Sequence, residues 1–140
     1  MSAFWQRWLF LIAVGTGLFG FSMVVAPGPI QEAFNLLIFG SGDSPAGFSA
    51  EATDYIRFVY GVLGAVMAGW MVLTAAVIAG PMRRGETWAW SAVVASLGGW
   101  FVADTIHSLA TGYPENAALN AGFICLFAAP LFVARPGRTV

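Results

Sequence analysis

The residues best suited to chemistry are grouped near the end of one apolar segment. Asp104, His107 and Ser108 are spaced so that all three share one face if this segment is helical. A carboxylate that orients and charges an imidazole would make His107 a general acid or base, so Asp104 and His107 are the catalytic candidates. Ser108 is the nearby nucleophile, but a serine within a helix usually bonds to its own backbone. This pattern alone is weak evidence for an enzyme.

Other polar residues are expected at a matching depth. If consecutive helices are antiparallel, Arg57 enters the second apolar segment at the level of Asp104 and is its expected counter-ion. Asparagine amides at the start of the last segment could add hydrogen bonds. The full cluster that we predict is Arg57, Tyr60, Trp100, Asp104, His107, Ser108, Asn116 and Asn120. Such a cluster either fixes the register of the helices or forms a ligand or catalytic pocket.

Residue counts argue against several other chemistries. The chain has one His and one Cys, so it lacks a second histidine for a haem and the cysteines for a metal or thiol-redox site. No nucleotide-binding fingerprint is present. A net charge of -1 gives no basic surface for nucleic acid. We therefore expect no cofactor, no metal and no nucleic-acid partner.

Composition indicates which elements hold these residues. Hydrophobic residues make up 59% of the 140 residues and charged residues 9%, so lipid must cover much of the surface. Four apolar runs each have roughly the 20 residues that span a bilayer as a helix. The sequence predicts an all-α integral membrane protein, a single transmembrane domain over residues 1–140 that forms a four-helix up-down bundle. The helices are expected at about 5–26, 50–79, 86–111 and 114–134.

The distribution of charge predicts the orientation. Arginines flank the termini and the second connection, whereas the acidic residues Glu32, Asp43, Glu51, Asp54 and Glu115 fall on the opposite side. Positive residues beside short loops stay in the cytoplasm, so both termini are expected there, in the cell (inner) membrane. The residues on this side are Arg7, Arg83, Arg84, Arg135 and Arg138, with Trp5, Trp8, Trp88 and Trp90 as an aromatic belt. A signal peptide is the alternative for the first run, but its apolar stretch is long for one.

The long connection between the first two spans predicts a short amphipathic helix from Pro29 to Phe39. Its apolar residues recur at helical spacing, opposite Gln31, Glu32 and Asn35. This helix would lie in the outer interface and cap the bundle. Ser49 is the expected N-cap of the second span.

Small residues at every fourth position predict where the helices pack. Close backbone approach holds helices together in lipid, so these stripes are expected at helix seams or, alternatively, at a homo-oligomer interface. The stripes are Gly61, Ala65 and Gly69; Ala95, Gly99 and Ala103; and Ala117, Ala121, Cys125 and Ala129.

The sequence favours a small, non-enzymatic, multi-pass membrane protein. Its expected task is to bind an apolar or amphipathic, lipid-like ligand, or to serve as an accessory subunit of a larger membrane complex. One alternative is a membrane enzyme that acts on a lipid-like substrate with Asp104 and His107 as an acid–base pair. The other is an oligomeric channel or transporter, although a polar cluster in one half of the bundle does not line a full path.

Overall fold

The computed structural model describes residues 2–133 and 135, and this part of the chain is helical, without a β-strand. The helices are α1 (Ala3–Val25), α2 (Pro27–Phe39), α3 (Ala50–Val77), α4 (Thr87–Ala110) and α5 (Pro114–Val133). Four of them, α1, α3 with its extension to Met82, α4 and α5, are long and apolar enough to cross a membrane. These helices indicate a multi-pass membrane protein. Their bounds agree with the predicted ones to within about one turn. Position 134, the predicted end of the last span, and Arg138 lie outside the described residues.

Local turn chemistry marks several of the helix ends, among them the predicted N-cap at Ser49. Ser49 caps α3, since its hydroxyl accepts a hydrogen bond of 3.1 Å from the N–H of Ala52. Gly40 ends α2 in the left-handed conformation, at a φ of 72°, and its N–H bonds to the carbonyl of Leu36. Pro114 is the first residue of α5. Local sequence therefore sets where these helices begin and end.

Helix α3 continues into a π-helical turn, Ile78–Met82, that contains Pro81. Proline has no N–H to donate, so it normally ends or kinks an α-helix. Here the wider turn carries the chain past Pro81, and the N–H of Glu86 bonds to the Pro81 carbonyl at 3.1 Å. The helical segment therefore extends beyond the predicted end near residue 79.

The chain divides into two compact units. The first combines the chain up to Val14 with the part from Val72 onward, and the second is Gly15–Met71. In the first unit α4 packs along α5, around the buried side chains of Val93, Leu97 and Phe127.

Two tryptophans of the first unit bond to the backbone of α5. Pro130 lies inside α5 and has no N–H to donate to the carbonyl of Leu126, one helical turn earlier. The indole N–H of Trp8 donates to that carbonyl at 3.3 Å. Trp90 donates at 2.8 Å to the carbonyl of Leu131, which lies in the last turn of α5 and so lacks a helical donor. These two indole N–H groups therefore satisfy backbone carbonyls of α5.

In the second unit α1 and α3 cross through two glycines. A Cβ added to Gly20 would lie 2.8 Å from the carbonyl oxygen of Gly64 and 2.9 Å from the N of Ala68. A Cβ added to Gly64 would collide with the Gly20 carbonyl oxygen. Because only a hydrogen atom fits at either position, the two backbones pack in direct contact.

Within the second unit, the stripe predicted on α3 is not the seam between α1 and α3. A Cβ at Gly61 or Gly69 would meet nothing within 4 Å, and Ala65 is exposed. The other stripes also face outward for the most part, at Ala95, Gly99, Ala103, Ala121, Cys125 and Ala129. Small residues do recur at every fourth position, but on a face of α3 that does not contact α1.

Candidate ligand-binding site

Helix α2 buries its polar side. Gln31 and Asn35, one turn apart, are only 2% and 7% exposed, whereas Leu36 is 60% exposed. Leu37 and Phe39 are exposed as well. In water this orientation would be unfavourable, because buried amides need hydrogen bonds and exposed apolar groups gain nothing. It is the arrangement expected of a helix whose outer side meets an apolar medium and whose inner side serves a polar site.

Arg57 on α3 meets this polar side. Its Nε donates a 3.1 Å hydrogen bond to Oε1 of Gln31. Its Nη1 lies 3.6 Å from a carboxylate oxygen of Asp54, one turn away on the same helix. Nη2 has no hydrogen-bond partner among the residues that the structure describes. The guanidinium is about half exposed, so it retains donors for a ligand.

A cavity of about 450 Å³ opens beside this pair. The amide of Asn35 holds one side of it through a 3.5 Å hydrogen bond to the carbonyl of Gly42, in the loop after α2. The lining carries one guanidinium, two carboxylates, two amides and a hydroxyl. These residues are Gln31, Glu32, Asn35, Gly42, Asp43, Ser44 and Arg57, and we call the cavity the polar cavity. Its volume lies within the range of small-molecule sites.

A second group of polar residues lies in the other unit, between α4 and α5. The amide of Asn116 donates to Oδ1 of Asp104 at 3.2 Å and to the hydroxyl of Ser108 at 2.8 Å. The Ser108 hydroxyl bonds at 2.7 Å to the backbone carbonyl of Asp104, as expected for a serine within a helix. Asp104, Ser108 and Asn116 thus form a closed network that joins the two helices across a short turn.

His107 does not join this network. Its side chain is exposed, and the imidazole makes no hydrogen bond with any residue of the described ranges, 2–133 and 135. The Asp104 carboxylate already has Asn116 as its donor. The acid–base alternative requires the carboxylate to orient the imidazole, so this geometry gives it no support.

Asn120, one turn beyond Asn116, is 4% exposed, and its Nδ2 finds no hydrogen-bond partner in the described part of the chain. The Thr105 hydroxyl is in the same condition. Buried polar atoms of this kind usually meet water or a ligand.

The remaining predicted residues pack against aromatic neighbours. The ring of Tyr60 lies 5.4 Å from that of Phe34 on α2, and Trp100 lies 5.7 Å from Phe123 on α5. The structure therefore brings together Asp104, Ser108 and Asn116, while Arg57 and Tyr60 contact α2. Both charged groups, Arg57 and Asp104, have partners in their own units, so the predicted ion pair between them is not needed to satisfy either.

The lining residues that α2 and its loop contribute were missing from the predicted site. The sequence did contain a signal for them, since Gln31 and Asn35 are one helical turn apart and therefore lie on the same side of the helix. The loop residue Asp43 gave no signal, because its position depends on how the chain turns after Gly40.

Together the helices and the polar cavity define a multi-pass helical membrane protein with a polar site in one unit. No protein-family model, no curated protein and no solved structure matches this chain.

Proposed function

We propose that this chain is a small, non-enzymatic membrane protein that binds an amphipathic, lipid-like ligand whose head group occupies the polar cavity. The observation that carries the proposal is the orientation of α2, with Gln31 and Asn35 buried and Leu36 exposed. A head group in the cavity would use the amides and the guanidinium, while its apolar tail would lie along the exposed side chains of α2.

The charges of the lining favour a zwitterionic head group. Arg57 suits a phosphate or carboxylate, which it can contact through the free Nη2. Glu32 and Asp43, which also line the cavity, attract an ammonium group and repel a second anionic group. A phosphoethanolamine head carries both charges, so it satisfies the lining better than a purely anionic or a neutral one.

The site fits a particular topology, which we propose with it. Four helices form an up-down bundle in the cell (inner) membrane, both termini face the cytoplasm, and α2 lies in the outer interface between the first two spans. Two features support the antiparallel arrangement: Trp8 near the start of α1 bonds near the end of α5, and Trp90 near the start of α4 does likewise. The exposed apolar residues of α2 support its place in the interface.

Native mass spectrometry with phosphatidylethanolamine tests the proposal. The chain is purified in a maltoside detergent, incubated with the lipid and measured for retained lipid. Arg57→Gln should lower retention by about tenfold or more, because hydrogen bonds to a charged group contribute about 1.5–3 kcal/mol. Arg57→Lys keeps the charge but lacks the planar guanidinium group, so its lipid retention should lie between that of the wild type and that of Arg57→Gln.

The matched control is Glu51→Gln. Glu51 lies in the first turn of α3, is exposed and does not line the cavity. Retention by this variant should equal that of the wild type. If Arg57→Gln retains as much phosphatidylethanolamine as Glu51→Gln, the cavity is not the site.

A second candidate function is that of an accessory subunit or homo-oligomer, and the outward-facing small residues favour it. Ala95, Gly99 and Ala103 are exposed on α4, and such residues allow another helix to approach closely. Cys125 on α5 is exposed and is the only cysteine. Thiol crosslinking in native membranes should give a product of two chains if copies associate along α5, and a product of another mass if a different subunit does. Exclusive recovery of the uncrosslinked chain would contradict an interface there.

A further inference from the structure

We infer that a second site, formed by Arg7 and Arg83, binds the head group of an anionic phospholipid. These arginines line a groove of about 380 Å³ in the first unit, between the start of α1 and the end of the helical segment that follows α3. Its residues are Ala3, Gln6, Arg7, Phe10, Ile78, Ala79 and Arg83, and we call it the arginine groove. It shares no residue with the polar cavity.

The charge of the arginine groove is uncompensated. Its lining contains two guanidinium groups and no carboxylate. Within residues 2–133 and 135, neither side chain has an ion pair or a hydrogen bond. Arg84, by contrast, is paired with Glu86 at 2.7 Å. Two like charges on one groove repel each other, and an anionic group between them would turn this repulsion into attraction.

The rest of the lining selects a lipid over a soluble anion. Phe10 and Ala79 are exposed apolar residues beside the arginines, so an acyl chain can lie against them while its phosphate meets the guanidinium groups. Basic pockets between transmembrane helices bind anionic head groups in this way. Trp8, one residue along α1 from Arg7, is of the type that accumulates at the membrane interface, where head groups are found.

Competition between two lipids with identical acyl chains tests this site. The chain in maltoside detergent is incubated with equal amounts of phosphatidylglycerol and phosphatidylcholine, and the retained lipid is measured by native mass spectrometry. Phosphatidylglycerol should be retained in preference. In the double variant Arg7→Gln and Arg83→Gln, retention of phosphatidylglycerol should fall roughly 30-fold, because both arginines near the membrane surface attract the same anionic head group.

Two matched double variants test whether binding depends on the groove or only on the net charge of the surface. Arg84→Gln with Arg135→Gln removes the same charge outside the groove, so it should still retain phosphatidylglycerol in preference to phosphatidylcholine. Arg7→Lys with Arg83→Lys keeps the charge inside the groove and should retain the same preference. Arg57→Gln should leave phosphatidylglycerol retention unchanged, which makes this test independent of the polar cavity. The proposal would be overturned if the Arg7/Arg83 and Arg84/Arg135 glutamine variants lost phosphatidylglycerol retention equally. It would also be overturned if the wild type retained the two lipids equally.

A soluble competitor distinguishes a lipid site from a phosphate site. Glycerol phosphate carries the anionic head without the acyl chains. At the concentration of the lipid it should displace little phosphatidylglycerol, because the apolar lining contributes to binding. Displacement as efficient as that by added phosphatidylglycerol would show that the groove recognises phosphate alone.

Discussion

The contact between Gly20 and Gly64 gives the most sharply defined prediction for the fold. We expect Gly64→Ala to destabilise the protein, since the new methyl carbon would collide with the Gly20 carbonyl oxygen and lie 2.6 Å from Cβ of Met23. Non-bonded carbon atoms ordinarily lie at least about 3.5 Å apart, so α1 and α3 would have to separate by roughly 1 Å. Overpacking of this kind costs about 1–3 kcal/mol.

The assay is unfolding by titration of sodium dodecyl sulfate into maltoside micelles, followed by tryptophan fluorescence. The control, Gly61→Ala, adds the same methyl group to the same helix where nothing lies within 4 Å. It should be neutral or slightly stabilising, because alanine loses less entropy than glycine in a helix. Gly20→Ala should act like Gly64→Ala, and the double variant should cost less than the sum, since one separation relieves both collisions. If Gly64→Ala proves as stable as Gly61→Ala, the close crossing of α1 and α3 does not exist.

Three further predictions concern the first unit. Asn116→Leu should destabilise by about 1–3 kcal/mol in the same titration, because Asp104 loses its amide donor, and stability equal to the wild type would contradict the network. Trp90→Phe should cost about 1 kcal/mol by leaving a carbonyl near the end of α5 without a donor, whereas an unchanged midpoint would argue against that bond. Hydrogen bonds from Trp88 and from Arg84 lower the pKa of Glu86 below its ordinary 4.5, so the loop contacts should persist above that pH and weaken as the pH falls through the lowered pKa. Trp88 fluorescence should report this transition, and Glu86→Gln should abolish it.

The helices could be predicted because the thickness of the bilayer determines their length. A bilayer requires about 20 apolar residues per helical span, and the proline and glycine residues between the runs mark the breaks. The end of α3 was less predictable. Pro81 is ordinarily a stop signal, and only the formation of a π-helical turn allowed the helical segment to reach Met82.

Within the candidate sites, local relations were easier to predict than relations between distant segments. Asp104, Ser108 and Asn116 meet because helical spacing and one short turn bring them together. The partner of Arg57 was harder to identify, as it comes from α2. Spacing divides α2 into a polar and an apolar face, but it does not say which face meets the protein.

The glycines show the same limit. Spacing by four identified Gly61 and Gly69 as packing residues, although Gly64 makes the contact. Every helix position belongs to some series spaced by four, so the period alone cannot select a face. The complementary residue, Gly20, lies on another helix, and its pairing with Gly64 depends on the tertiary arrangement.

The orientation of α2 also limits how the protein can be altered. Substituting polar residues for Leu36, Leu37 and Phe39, a common route to water solubility, would remove the exposed apolar side chains that favour contact with the amphiphile. The contact of Phe34 with Tyr60 would remain, but with less to hold the helix in place Gln31 and Asn35 could turn outward more readily. The polar cavity would lose one wall although none of its own residues had changed, so the surrounding amphiphile is in effect a structural component of the site.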